Sequence, residues 1–187
     1  MPDDAHRRSD AVHNRDAILA AARDALTESA DVSLNAIAKR ANVANATLYR
    51  HFPGREQLVL AVYRQEVRHL VDAADELLKE QDAADALEAW VTRLAQYAMT
   101  KQGLASALQA ATRPATESFP DVYDSIVGAL GRILAAAENA GSVRPGLHPD
   151  DVILLLAGLF QMDPATDWRD QTARLYRLVL TGLQADS

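Results

Sequence analysis

The chain has no cysteine and few aromatic residues. Only 5% of its 187 residues are aromatic. Because thiols are absent, disulfides and thiolate metal sites are excluded, which fits the reducing cytoplasm. Strands draw on aromatic and β-branched residues, whereas the abundant alanine favours helix. The composition therefore predicts an all-α protein, and we expect a cytoplasmic location.

Long hydrophobic runs are also missing. The longest, residues 152–160, is about half the roughly 20 residues of a membrane helix, and it contains a glycine. The first ten residues, MPDDAHRRSD, lack the apolar core of a signal peptide. We expect no membrane association, and residues 1–13 are predicted to form a flexible polar arm. Apolar residues make up 49% of the chain, which excludes a fully disordered protein.

The negative charge is unevenly distributed. The net charge is −7, yet residues 1–55 hold eight Lys or Arg against seven Asp or Glu, a net +1, which leaves −8 for residues 56–187. Between Ser33 and Arg55 there are four basic residues and no acidic one. Such a local patch can meet a polyanion while the acidic remainder is repelled by it.

Apolar periodicity and helix breakers divide the chain into about nine helices. The first is predicted to begin at Arg15, with Asn14 as its N-cap, and Ser33 is predicted to cap the second. The predicted helices span residues 15–29, 34–41, 44–52, 55–79, 83–101, 105–111, 119–140, 150–161 and 168–183.

The segment from Ser33 to Phe52 has the pattern of a helix-turn-helix. Ala38 is small enough for two helices to cross closely, and Asn42 tolerates the left-handed backbone of the turn. We expect the major groove to be read by Asn45, Ala46, Thr47, Tyr49 and Arg50, and phosphates to be bound by Ser33, His51 and Arg55. Taken alone, a pattern of this kind also fits a small three-helix bundle that does not bind DNA.

A longer stretch of sequence resembles the tetracycline-repressor (TetR) family. The matching residues are Ala17-Ile18-Leu19, Ile37-Ala38, Ala41, Val43, Thr47-Leu48-Tyr49, His51-Phe52, Arg55 and Leu58. The specific resemblance covers about residues 14–63. The sequence departs from the family pattern at four positions. Asn42 stands where Gly is usual and Ala44 where Ser or Thr is usual. Ala46 stands where Gly is common, and Arg55 stands where Lys is usual. These departures bear on the operator sequence rather than on DNA binding as such.

The resemblance implies a DNA-binding domain over residues 14–54 and a helical ligand-binding and dimerisation domain over 55–187. It also implies a homodimer, built on the last two helices, that binds a roughly palindromic stretch of double-stranded DNA. The implied function is that of a repressor which a small-molecule effector releases from its operator. The alternative is a regulator whose C-terminal half only dimerises or binds a protein partner.

Two further sets of residues are predicted from the helical pattern. The dimer interface is expected to contain Leu155, Leu156, Leu159, Leu175, Leu178 and Val179. Aromatic walls with few polar groups typify a small-molecule site. The effector is accordingly expected to meet Trp90, Arg93, Tyr97, Gln109, Arg113, Tyr123 and Phe160. Each of these aromatic residues could instead simply fill the core.

Signatures of catalysis are missing from the sequence. It contains no Gly-x-Ser-x-Gly, no Walker loop and no Gly-x-Gly-x-x-Gly. The five histidines lack the spacing of metal ligands, and His148, beside Asp150 and Asp151, is more simply explained by helix capping. We therefore expect no enzyme, no cofactor and no metal.

Overall fold

The computed structural model describes residues 3–29, 31–112, 120–159 and 168–183. These residues form nine helices and no strand, which confirms the predicted all-α fold. The helices are α1 (Asp3–Glu28), α2 (Leu34–Arg40), α3 (Asn45–His51), α4 (Arg55–Glu80), α5 (Ala83–Gly103), α6 (Ala105–Thr112), α7 (Pro120–Asn139), α8 (Pro149–Leu159) and α9 (Trp168–Leu183). Within these ranges, no helix has the length and apolarity needed to cross a bilayer.

The first helix begins at Asp3, so the prediction of a start at Arg15 with Asn14 as its cap was wrong. Neither Gly nor Pro interrupts the chain between Asp3 and Glu28, and an interior Asn weakens a helix only slightly. Acidic residues at positions 3 and 4 are also favourable at a helix N-terminus. The predicted arm is therefore helical from Asp3 onward, and its first two residues lie outside the described ranges.

The chain divides into two compact units, and the division differs from the predicted boundary after residue 54. The first unit comprises the described parts of Met1–Gln65 and Thr100–Glu117, and the second those of Glu66–Met99 and Ser118–Ser187. Helix α4 thus contributes to both units. Pro53 and Gly54 turn the chain without ending the first unit, because the first turns of α4 bury Leu58 and Val62 in its core.

The core of the first unit joins five helices. Its fully or nearly fully buried side chains include Ile18, Leu19, Ala22, Leu26, Ile37, Leu48, Phe52, Leu58, Val62 and Leu104. The contribution of α6 and the residue before it was not predicted. Gly103 lets the end of α5 lie close to Thr27 of α1. A Cβ atom at this position would lie 3.1 Å from Thr27 Cγ2 and 3.2 Å from Thr27 Cα. The chain therefore passes close to α1 before α6 enters this core.

The second unit is organised around the fully buried Trp90 of α5. Its indole N–H donates to the Leu70 carbonyl of α4 over 2.9 Å. Arg132 of α7 donates to Asp75 Oδ1 of α4 over 2.7 Å. The amide of Arg144 donates to the Leu183 carbonyl over 2.8 Å. The first two bonds connect α4 with α5 and α7, and the third connects the loop after α7 with the end of α9, all within one unit.

Candidate nucleic-acid interface

The turn between α2 and α3 is fixed by backbone hydrogen bonds around Asn42. Asn42 has φ 54°, which confirms that it replaces glycine in the left-handed region. Its amide donates to the Lys39 carbonyl over 3.1 Å, and the amide of Val43 donates to the Ala38 carbonyl over 3.0 Å. This pair of bonds is a Schellman motif, which satisfies the last carbonyls of α2 and redirects the chain into α3.

The two short helices are capped differently at their N-termini. Ser33 has an extended backbone, and its Oγ accepts a 3.2 Å hydrogen bond from the Ala36 amide, so the predicted cap is confirmed. Ala44 is also extended but supplies no side-chain cap to α3. A missing cap of this kind typically costs about 1 kcal/mol. The position of α3 therefore depends more on packing than on its own first turn.

Helix α3 has a buried face and an exposed face. Leu48 is fully buried in the core of the first unit. Asn45, Ala46, Tyr49 and Arg50 are exposed, and we call these four residues the outer face of α3. Thr47 is half-buried between the two faces. The structure thus brings four of the five residues predicted to read the major groove together on the solvent side of one helix.

His51 lies at the end of α3 and is half-buried. Its Nε2 atom is buried and has no hydrogen-bond partner among the described residues. Burial lowers the pKa of His51 below its usual value, and the nearby charges of Arg50 and Arg15 lower it further. In the free protein the histidine therefore favours its neutral form.

Arg55, also predicted to bind a phosphate, has an internal partner. Its guanidinium donates to the carbonyl of Val32 and so ties the first turn of α4 to the segment between α1 and α2. The side chain is half-buried. Any phosphate contact by Arg55 would therefore come from a group that also supports the fold.

Two family models match the chain, one over its N-terminal part and one over its C-terminal part. Residues 18–62 match the model for bacterial regulatory proteins of the tetR family, and residues 82–185 match that for the C-terminal domain of SbtR-like transcriptional regulators. The chain belongs to the TetR family. It is therefore a DNA-binding transcription regulator with a helix-turn-helix, as the sequence predicted.

Solved structures support the same assignment. The TetR transcriptional regulator SCO0520 from Streptomyces coelicolor is 40% identical, with a TM-score of 0.87 over 92% of this chain and 99% of that one. A TetR regulatory protein from Mycobacterium vanbaalenii is 31% identical, with a TM-score of 0.78 over 95% and 99% of the two chains. No curated protein matches this TetR-family chain.

Among the described residues, those predicted to bind an effector are divided between core and surface. Trp90 and Tyr97 are buried, and the polar group of Trp90 already has a backbone partner. Arg93 is exposed and lies 3.9 Å from Glu76, measured from Nη1 to Oε2. Gln109 is exposed and belongs to the first unit.

Of the remaining residues predicted to bind an effector, only Tyr123 lies among the described residues. Tyr123 is exposed, and its hydroxyl donates to Asp150 Oδ1 over 3.2 Å. His148 Nδ1 lies 3.4 Å from Asp150 Oδ2. Within the part of the chain that the structure describes, no group of His, Asp and Glu is arranged to hold a metal ion. Arg113 and Phe160 lie outside the described residues.

The residues predicted to form the dimer interface separate by exposure. Leu155 of α8 is 51% exposed and Leu178 of α9 is 71% exposed. Leu154, which the prediction missed, is 64% exposed. Leu156 is only 1% exposed, so this predicted interface residue belongs to the core of its own protomer. Two more of the set, Leu175 and Val179, are half-buried, and the side chain of Leu159 lies outside the description.

Proposed function

We propose that this TetR-family regulator is a cytoplasmic homodimeric repressor that binds a roughly palindromic operator and leaves it when a small molecule binds. The observation that carries the proposal is the outer face of α3. Its polar side chains are exposed on a helix whose opposite side is anchored by the buried Leu48. The turn at Asn42 gives that helix a defined start.

The chemistry of the outer face suits direct readout of bases. An Asn at position 45 can make paired hydrogen bonds to adenine, and Arg50 can do the same with guanine. Ala46 leaves room for the helix to approach the base edges, while Tyr49 can reach a phosphate. Each good paired contact contributes about 1–3 kcal/mol of discrimination against the wrong base. Such a face can therefore specify a sequence.

The exposed leucines support a homodimer. Leu154 and Leu155 on α8 and Leu178 on α9 leave aliphatic surface in contact with water. Burying such surface contributes about 25 cal/mol per Å². A second copy related by a two-fold axis would cover the same residues on both protomers and place two α3 helices in successive major grooves.

The extent of α4 supports control by an effector. This helix runs from Arg55 to Glu80 and contributes to both compact units. An effector that binds one arrangement of α4 more tightly than another would shift the population toward that arrangement and so change the position of the DNA-binding units. A coupling of about 1–3 kcal/mol changes operator affinity about 5–150-fold. The competing proposal gives the second unit only a dimerising or protein-binding role.

The proposal is tested in two stages with the purified full-length chain. Genomic footprinting and selection from random duplexes should first return a two-fold symmetric site. A thermal-shift screen of amphipathic compounds should then give stabilising hits, and these hits should weaken binding to that site. Hits that stabilise the protein without altering DNA affinity would contradict effector release and favour the competing role.

A further inference from the structure

The basic residues of the first unit differ in how much of their charge is already neutralised. Arg40 makes two hydrogen bonds to the carboxylate of Glu28, of 2.8 and 2.7 Å, and this pairing lowers the pKa of Glu28. Arg23 contacts Asp24 Oδ1 at 2.9 Å. A cation whose charge is matched by a neighbouring carboxylate contributes little to the field that attracts a polyanion.

Arg15 of α1 is held in place without such a partner. Its guanidinium carbon lies 5.4 Å from the centre of the Phe52 ring, a cation–π arrangement. No carboxylate within the described ranges forms an ion pair with it. The aromatic contact restrains the side chain beside the Phe52 ring. A guanidinium carries five N–H donors that a phosphate can bind.

Arg15 also lies beside the end of α3. Phe52 follows α3 directly, and its ring centre is 6.3 Å from that of His51. Arg15 and Arg50 both act electrostatically on His51, although burial is the larger influence on that histidine. Positive charge from α1 and from α3 is therefore concentrated at the same place, the C-terminal end of α3.

We propose that Arg15 is a phosphate-binding residue of the DNA interface, oriented by Phe52 to bind the duplex backbone beside the end of α3. This inference deepens the proposed operator binding and rests on it. A guanidinium can donate two parallel hydrogen bonds to a phosphate, and prior orientation reduces the entropy lost on binding. Helix α1 then has two roles, because its buried face, including Ile18 and Ala22, belongs to the core.

The test compares three variants of the full-length protein. Arg15→Met keeps an unbranched side chain against Phe52 but removes the charge, and Arg15→Lys keeps the charge. Arg40→Met removes one charge from an internally paired site and is the matched control. Affinity for a fluorescent mixed-sequence DNA duplex is measured across a series of salt concentrations, after thermal unfolding has shown that each variant is folded.

Arg15→Met should reduce the slope of log affinity against log salt by about 0.9 per DNA-binding unit, the value for one lost phosphate contact on duplex DNA. Arg15→Lys should restore the slope, and Arg40→Met should leave it at the wild-type value. An unchanged slope in Arg15→Met, with wild-type DNA binding intact, would overturn the role of Arg15 alone. Equal reductions in Arg15→Met and Arg40→Met would also overturn it, because net charge would then explain both. Wild-type protein that binds no duplex would contradict the proposed function and this inference together.

Discussion

Two surfaces of this regulator expose side chains of opposite chemistry. The outer face of α3 exposes the polar Asn45, Tyr49 and Arg50, whereas α8 and α9 expose leucines at positions 154, 155 and 178. Polar groups of the first kind can exchange water for base edges and phosphates. Leucines gain by leaving water altogether. The contrast indicates that the first surface is suited to DNA and the second to another protein surface.

The two surfaces also depend on different kinds of support. Helix α3 is short, lacks a side-chain cap, and takes its direction from the backbone bonds at Asn42. Helix α8 is held by an inner face of buried side chains, including Val152, Ile153 and Leu156. A change in backbone preference should therefore affect the first surface most, and a change in packing should affect both.

The largest effect on stability is expected at the buried side of α3. Leu48→Ala should lower the free energy of unfolding by about 2–5 kcal/mol, because it leaves a cavity in the core of the first unit. Arg50→Ala, two residues later on the exposed face, should change it by less than about 0.5 kcal/mol. Chemical denaturation of both variants measures the difference. Similar costs at the two positions would show that the two faces of α3 are not distinct.

The next effect concerns the exposed leucines. Leu178→Asp and Leu155→Asp should each shift the protein from dimer to monomer, because an unpaired carboxylate would be buried in the interface. Sedimentation at micromolar concentration measures the change, and the monomers should also lose operator affinity. Leu156→Asp is the contrasting variant, and it should prevent folding rather than release folded monomers. Wild-type protein that sediments as a monomer would contradict the dimer.

The sequence predicted the fold and the outer face of α3 because local signals agree there. Each of three residues suits one structural role: Ser33 caps a helix, Asn42 adopts the left-handed backbone of the turn, and Leu48 is buried in the core. The start of α1 was predicted wrongly, because Asn14 can cap a helix but is also tolerated in a helix interior, where the structure places it. Local sequence also gave no sign that the chain around α6 would join the first core, since that packing depends on the close approach of Gly103 to Thr27.

The second unit was harder to interpret residue by residue. Leu154, Leu155 and Leu156 have the same side chain, and only the rotation of α8 makes two of them exposed and one buried. Likewise, Trp90 and Arg93 are three residues apart on α5, yet one is fully buried and the other exposed. Periodicity shows that such a helix has an apolar stripe, but the packing partners determine which edge of the stripe is covered.

A smaller effect is expected at the turn that directs α3. Asn42→Ala should lower the free energy of unfolding by about 1 kcal/mol, because alanine tolerates the left-handed backbone less well than asparagine. Asn42→Gly is the matched control and should be close to neutral. Thermal unfolding measures both changes. Equal stabilities for the Ala and Gly variants would mean that the backbone at this position does not constrain the turn.

The smallest expected effect is a dependence of stability on pH through His51. Its pKa in the folded protein lies below the ordinary 6.5, so the unfolded chain binds more protons as the pH falls below that value. Stability contributed by neutral His51 is present above pH 6.5 and is lost as the pH decreases toward the lowered pKa. Denaturation curves across this range should show the loss in the wild type and less of it in His51→Gln. Identical pH profiles would contradict the burial of the imidazole.

Selection of DNA sites by wild-type protein and by Asn45→Ala tests the central claim most directly, namely that the outer face of α3 reads operator bases. The variant should lose about 1–3 kcal/mol of discrimination at one base pair in each half-site, while its affinity for random duplex changes little. Thermal unfolding should show that it remains folded. If Asn45→Ala, Tyr49→Ala and Arg50→Ala all select the wild-type sequence with wild-type affinity, the outer face of α3 does not read the operator.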